Sequence, residues 1–266
     1  MQFRKILVGV KPASSDRSAV RTAARLAAAA KAHLVVLSVT DSLGRLSQPE
    51  AAARQVESEL DGLLDAGQVS YHVAVGLPAV EIARWSDSQC ADLIVLGREP
   101  GPCPPQVDGD CVVAGTVRRA RVPCLVVPSS EHAFRRILAA IDGGPDSPDI
   151  LRAAAAIAGL VQSGLVALQV ERPPQAGGKP PWTGEPRSLF GDDRGAVAVL
   201  PAPACCEVVV RHGDPVAQIL RAVREEGVDL LVHGHHRGGP RNGHETGSIA
   251  ARLLERAPCT VLTVPI

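Results

Sequence analysis

The chain has 266 residues, with 28 Lys+Arg against 28 Asp+Glu, 45% hydrophobic and 2% aromatic residues. Zero net charge argues against a protein held to nucleic acid or an anionic membrane by bulk positive charge, and so few aromatics argue against a stacking platform for single strands. A core of Ala, Val, Leu and Ile is expected, and the chain is long enough to bury one without covalent staples.

The first apolar run, Ile6 to Val10, is too short for a signal segment, and no stretch approaches the ~20 apolar residues of a membrane span. Insertion into a membrane is not expected. Runs of this length without alternation suit strands covered on both faces. An Ala-rich helix is predicted over roughly 16–32, with Ala19, Ala23, Ala27 and Ala30 on one face and Arg17, Arg21 and Arg25 as a solvated stripe. A second strand ends at Val39, and a helical segment is predicted over roughly 49–67. Ser70 to Val75 reads as a third strand. Gly-x-Pro then leads into a helix over roughly 79–89. The fourth strand runs from Asp92 to Leu96 and the fifth from Cys124 to Val127.

The order then repeats. Arg4 to Val39 matches Arg135 to Val170 at an offset of 131, and Gly76-Leu77-Pro78 to Gly97 matches Gly213-Asp214-Pro215 to Gly234 at an offset of 137. Pro123-Cys124 matches Pro258-Cys259. Two tandem domains are expected, 1–131 and 132–266, each a doubly wound open parallel sheet of five strands in an α/β fold. The halves differ between strands two and three. There the second repeat carries a Pro- and Gly-rich loop over about 173–203, with Ala196 to Leu200 as a short strand or turn.

Seven cysteines, an odd number without Cys-x-x-Cys, suggest reduced thiols in the cytoplasm. Adjacent Cys205 and Cys206 are read as packed thiols rather than a redox pair.

Chemistry concentrates after the fourth strand of the second repeat, in Gly234-His235-His236-Arg237-Gly238-Gly239-Pro240-Arg241-Asn242-Gly243-His244-Glu245-Thr246-Gly247-Ser248. A strand, a glycine-rich loop and a helix start make a physically sensible phosphate cradle, because free helix N–H groups and the dipole attract anions. The helix is predicted from Ile249 to Arg256, with Ser248 placed to cap it. Beside it, strand one ends Ile141-Asp142-Gly143-Gly144-Pro145-Asp146-Ser147. Asp142, at the carboxyl end of an inner strand, can accept hydrogen bonds from a ribose or adenine, or cap the turn into the helix. His233, His235, His236 and His244 cluster in sequence, but they read as polar loop histidines rather than metal ligands.

These residues resemble the universal stress protein family in its tandem two-domain form. The family pattern ends strand one with Val-Asp-Gly-Ser and places a Gly-x2-Gly-x9-Gly-(Ser/Thr) loop before the last helix. The second repeat has Asp142-Gly143, Gly234, Arg237 in place of the second glycine, and Gly247-Ser248. The resemblance implies two packed domains joined as a pseudo-dimer through their last strands. It implies ATP, with Mg2+, in some members and none in others. Carried over residue by residue, Asp142 and Val170 would hold adenosine, Gly143 would belong to the same nucleotide site, and Gly234, Gly247 and Ser248 would hold phosphates. Gly238 would stand in for the missing glycine, and Arg237 would either crowd the loop or hold phosphate.

In the first repeat Lys11-Pro12 replaces Asp-Gly, and prolines fill the late loop, removing N–H donors. From Gly115 to Pro123 is eight positions, against eleven from Gly247 to Pro258, so the last helix should be about a turn shorter. The first repeat is expected to bind nucleotide poorly.

The expectation is a non-catalytic cytoplasmic stress-response protein whose second domain binds an adenine nucleotide as a switch toward a protein partner. No metal site and no nucleic acid are expected, and a homodimer of tandem chains is left open. The alternatives are a scaffold that binds no nucleotide, or an adenylating enzyme of the ATP pyrophosphatase type. The latter rests on Gly143-Gly144-Pro145-Asp146-Ser147.

Overall fold

The computed structural model describes residues 1–11, 17–40, 60, 63–98, 111–129, 134–171, 206–236 and 246–266, with the backbone alone at 66, 206–208 and 246–248. The predicted segment 49–67 is described only at 60 and 63–67, and the loop 173–203, Arg237 and Gly238 lie outside the described residues.

The first repeat forms β1 (Lys5–Val10), α1 (Ser18–Ala30), β2 (His33–Thr40), β3 (Val69–Val75), α2 (Pro78–Ser88), β4 (Leu93–Arg98), α3 (Val112–Arg119) and β5 (Cys124–Pro128). The second forms β6 (Arg136–Ile141), α4 (Ser147–Val161), β7 (Gly164–Glu171), β8 (Cys206–His212), α5 (Pro215–Glu225), β9 (Leu230–His235), α6 (Thr246–Arg256) and β10 (Thr260–Pro265). Two compact units result. One gathers Gln2–His132 with Thr260–Pro265, and the other gathers Ala133–Cys259 with Met1 and Ile266. Strand order is β3-β2-β1-β4-β5-β10 in the first and β9-β6-β7-β8 in the second. Within the two units the described pairings are parallel except β5 with β10, which is antiparallel with Val126 opposite Val261. All five residues of β5 are buried, so β10 covers what would otherwise be an open apolar edge.

The two repeats keep the same registers. Lys5 lies opposite His33 as Arg136 lies opposite Gly164, Leu37 opposite His72 as Leu168 opposite Val209, and Gly9 opposite Leu96 as Ala140 opposite His233. Alternation along each strand then assigns faces. A Cβ on Gly9 would meet Ile82 of α2, whereas one on Gly97 would meet Ala19 of α1, so these two helices cover opposite faces of the sheet. In the second unit, Gly234 faces Ile150 of α4 while Ala222 of α5 lies over Leu138 and Leu168.

Local signals recur in pairs. Lys31 and Gln162 end α1 and α4 in the left-handed conformation, at φ 52° and 53°. Gly76 and Gly213, at φ 147° and 133°, turn the chain into α2 and α5, and each donates its N–H across 2.9 Å to the carbonyl ending β2 or β7. Of the charged stripe on α1, Arg25 is exposed and Arg17 and Arg21 are half-buried.

The paired aspartates before β4 and β9 clamp the start of the neighbouring strand. Asp92 Oδ2 accepts the N–H groups of Arg4 and Lys5 at 2.7 and 2.9 Å. Asp229 Oδ2 accepts those of Arg135 and Arg136 at 2.9 and 3.2 Å. Asp92→Ala and Asp229→Ala should each cost about 1–2 kcal/mol, since each leaves two strand-end N–H groups without their acceptor. Urea unfolding of the two single variants checks this, and unchanged midpoints would refute it.

Among the described cysteines, Cys90, Cys124 and Cys259 carry free thiols, and burial pushes Cys124 up to about 12. Cys111, which caps α3 by accepting the Ala114 N–H, is disulfide-bonded, contrary to the reduced state read from the sequence. No helix among the described residues is long and apolar enough to cross a membrane.

Candidate functional site

The carboxyl ends of β6, β7 and β9 bring several polar groups together in the second unit. Asp142 follows the last residue of β6. Its Oδ1 accepts the N–H of Gly144 at 2.8 Å and the hydroxyl of Ser147 at 3.2 Å. This closes the turn into α4, and among the described residues Oδ2 receives no hydrogen bond. Gly143 has φ 74°, a conformation a side chain resists, and a Cβ there would stand 3.3 Å from Gln169 Nε2. Gly144 is equally constrained, since its Cβ would come within 2.9 Å of Asp142 Oδ1. The turn thus needs both glycines to carry Asp142 where it stands.

Gln169 sits opposite Ile141 in the β6–β7 register, so its amide lies beside this turn. The sequence reading named its neighbour Val170, which points to the other face and lies opposite Arg211. Gln169 was legible in principle, as the residue in register with the end of strand one. His236 follows β9, and its Nδ1 lies 3.9 Å from Asp146 Oδ2, the residue before α4. Ser147 is fully buried, and its hydroxyl serves Asp142 rather than the helix end.

Gly234 is expected to make room for phosphate. Packing asks for a glycine here as well, since a Cβ on it would come within 2.6 Å of Ile266 Cδ1 and 2.9 Å of Ile150 Cδ1. Ser248 is not the helix cap: α6 starts at Thr246, which puts Gly247 and Ser248 in its first turn. An N-terminal turn carries free N–H groups whichever residue begins it.

The electrostatics of the two helix starts differ. Asp146 and Asp149 crowd the N-terminus of α4, with Asp149 paired to Arg152. The first turn of α6 carries no acid, although Glu245 immediately precedes it in the sequence. An anion is therefore disfavoured at α4, while groups that donate hydrogen bonds are drawn to Asp142.

His233 is buried in β9. Its Nδ1 lies 3.0 Å from the Gly234 carbonyl, which can only accept, so that nitrogen carries the proton. Burial holds its pKa down to about 4; the hydrogen bond to Gly234 opposes the shift and nearby His235 adds to it. Among the described residues no His, Cys, Asp and Glu side chains converge as for a metal ion. In the first unit Lys11 takes the place of Asp142 and is exposed, presenting a donor where the second unit presents an acceptor.

The universal stress protein family profile matches residues 2–128 and again 133–265. The chain belongs to that family. Its fold is shared with two-domain members of known structure. A universal stress protein from Pseudomonas aeruginosa UCBPP-PA14 is 20% identical, with 99% of this chain and 93% of that one aligned at a TM-score of 0.70. One from Archaeoglobus fulgidus DSM 4304 is 16% identical, with 99% and 97% aligned at 0.71. A universal stress protein solved in complex with cAMP is 22% identical and aligns along 100% of its length with 49% of this chain, at 0.41. Among curated proteins, none matches the chain.

Proposed function

We propose that the second repeat of this universal stress protein binds ATP together with Mg2+, and that binding acts as a switch rather than as the first step of catalysis. The supporting observation is Asp142. It is held by two hydrogen bonds to one oxygen at the carboxyl end of an inner strand, and among the described residues its other oxygen receives none. Ligands of doubly wound sheets lie at this end. The ribose or adenine donates to Asp142 and Gln169 stands beside it. The phosphates lie toward the start of α6, where free N–H groups favour negative charge. Mg2+ arrives with the nucleotide and supplies charge neutralisation. The first repeat, with Lys11 in place of the aspartate, contributes packing rather than a second site. The setting is a cytoplasmic stress response, in which nucleotide occupancy alters a surface read by a protein partner.

Calorimetric titration of nucleotide-stripped protein with ATP and Mg2+ should show one site per chain, lost in Asp142→Ala. Two sites would contradict the reading of the first repeat. No heat at millimolar ATP would refute the proposal and favour a nucleotide-independent scaffold.

A further inference from the structure

Position by position, the two repeats exchange charge at the carboxyl ends of their strands. In the first repeat Lys11 follows strand one, Ser15 stands before the next helix, and Glu99 follows the fourth strand. In the second the same three places hold Asp142, Asp146 and His236. A cation and a carboxylate have traded sides. The new cation is an imidazole, the side chain that gains and loses its charge between about pH 5 and about pH 8.

The fold brings His236 and Asp146 together. His236 is the residue after β9, and Asp146 is the residue before α4. His236 Nδ1 stands 3.9 Å from Asp146 Oδ2, with the two side chains 25% and 30% exposed. Both are therefore within reach of a ligand lying over the strand ends. Around them α4 also presents Asp149, which is paired with Arg152, and the end of β6 presents Asp142. His235 precedes His236 on β9, and the first turn of α6 carries no acid, with Glu245 just before it in the sequence.

An anion over this end of the sheet meets Asp146 at the start of α4, and a carboxylate there offsets the attraction of the helix N-terminus. The protonation of His236 decides the balance. A neutral ring that donates to Asp146 through Nδ1 turns a lone pair outward at Nε2, which repels a phosphate oxygen. An imidazolium compensates Asp146 through Nδ1–H and still offers Nε2–H as a charge-assisted donor to phosphate.

Given a nucleotide in the second repeat, as proposed above, we infer that His236, positioned by Asp146, contacts its phosphates in the protonated form, so that occupancy is linked to pH. The bound state then holds more protons than the free one, and affinity rises as pH falls. Calorimetry of the full chain with ATP at saturating Mg2+, at about pH 6 and at about pH 8, tests this. The unaltered protein should bind at least about tenfold more tightly at the lower pH, the effect of one charge-assisted hydrogen bond. His236→Gln should bind with nearly equal affinity at both. Asp146→Asn should bind more tightly than the unaltered protein at about pH 8, because the repelling carboxylate is gone, whereas loss of mere structural support would weaken binding at both pH values. Titration of ATP itself and of His235 is common to all these proteins and cancels. Should circular dichroism show His236→Gln unfolded, His236→Asn is the replacement and carries the same expectation. ATP binding that does not change with pH overturns the inference, and so does the same pH dependence in the folded His236 variant. ATP binding at neither pH refutes the nucleotide reading itself, and this inference with it.

Discussion

Lowering the pH from about 6.5 to about 4 should cost the second repeat about 3 kcal/mol at one residue, His233, and His233→Leu should remove that cost. The ring is buried in the centre of β9, and burial is the largest cause of its depressed pKa. The unfolded chain binds a proton at this histidine near pH 6.5, whereas the folded one does so only near pH 4. Between these values the unfolded state holds more protons, so stability rises with pH across the window and is lost as pH falls through it. Above the window the ring is neutral in both states and the contribution is flat. Leucine is a suitable replacement because Leu96 occupies the same register position in β4 and is 3% exposed. Urea unfolding at pH 7.5 and pH 5 gives the test. The pH difference should be smaller in His233→Leu than in the unaltered protein. Carboxylates, and His33 with its lowered pKa, titrate in both proteins and cancel in that comparison. Equal pH differences in the two proteins would refute the account.

Gly234→Ala should destabilise by about 1–3 kcal/mol, the range for forcing an extra methyl into a packed core. The added carbon would enter a space already held from two sides by Ile150 and Ile266. Ile266 is kept there by its N–H, which donates to the His235 carbonyl at 3.0 Å. The first repeat supplies the control. Among the described residues a Cβ on Gly97 meets only Ala19 Cβ, at an ordinary 3.6 Å, so Gly97→Ala should change stability by no more than about 0.5 kcal/mol. Thermal and urea midpoints of the two variants decide the matter. A stable Gly234→Ala protein with lost ATP affinity would instead make this a phosphate-contacting glycine.

The fold was legible in the sequence because duplication shows each element twice. Uninterrupted apolar runs such as Ile6 to Val10 and Leu230 to Val232 read as buried parallel strands, and the offset between repeats carried over into register. Asp142 was legible too, since its place depends on local order: strand, turn, helix. What escaped was set by distant neighbours. Gly234 looks the same whether phosphate or Ile266 is close to it, and only the fold brings Ile266 there. Asp92 and Asp229 matched each other in sequence, but their hydrogen bonds cross to strands that begin far earlier in the chain. Ser248 was misplaced for a local reason. Gly-Ser resembles a cap, but a glycine is tolerated in the first turn, and α6 begins earlier, at Thr246.

The antiparallel β5–β10 pair bears on how the protein is made. A ribosome adds roughly 5–20 residues per second, and domains generally fold as they emerge. The first sheet cannot do so completely, because its sixth strand, Thr260–Pro265, is synthesised only after nearly all of the second repeat. Throughout that interval β5 presents a buried-type edge with nothing to pair with. Nascent chains stalled within the second repeat should therefore be the species that a chaperone must shield, and a gene truncated before Thr260 should yield insoluble product even though every residue of the first repeat is intact.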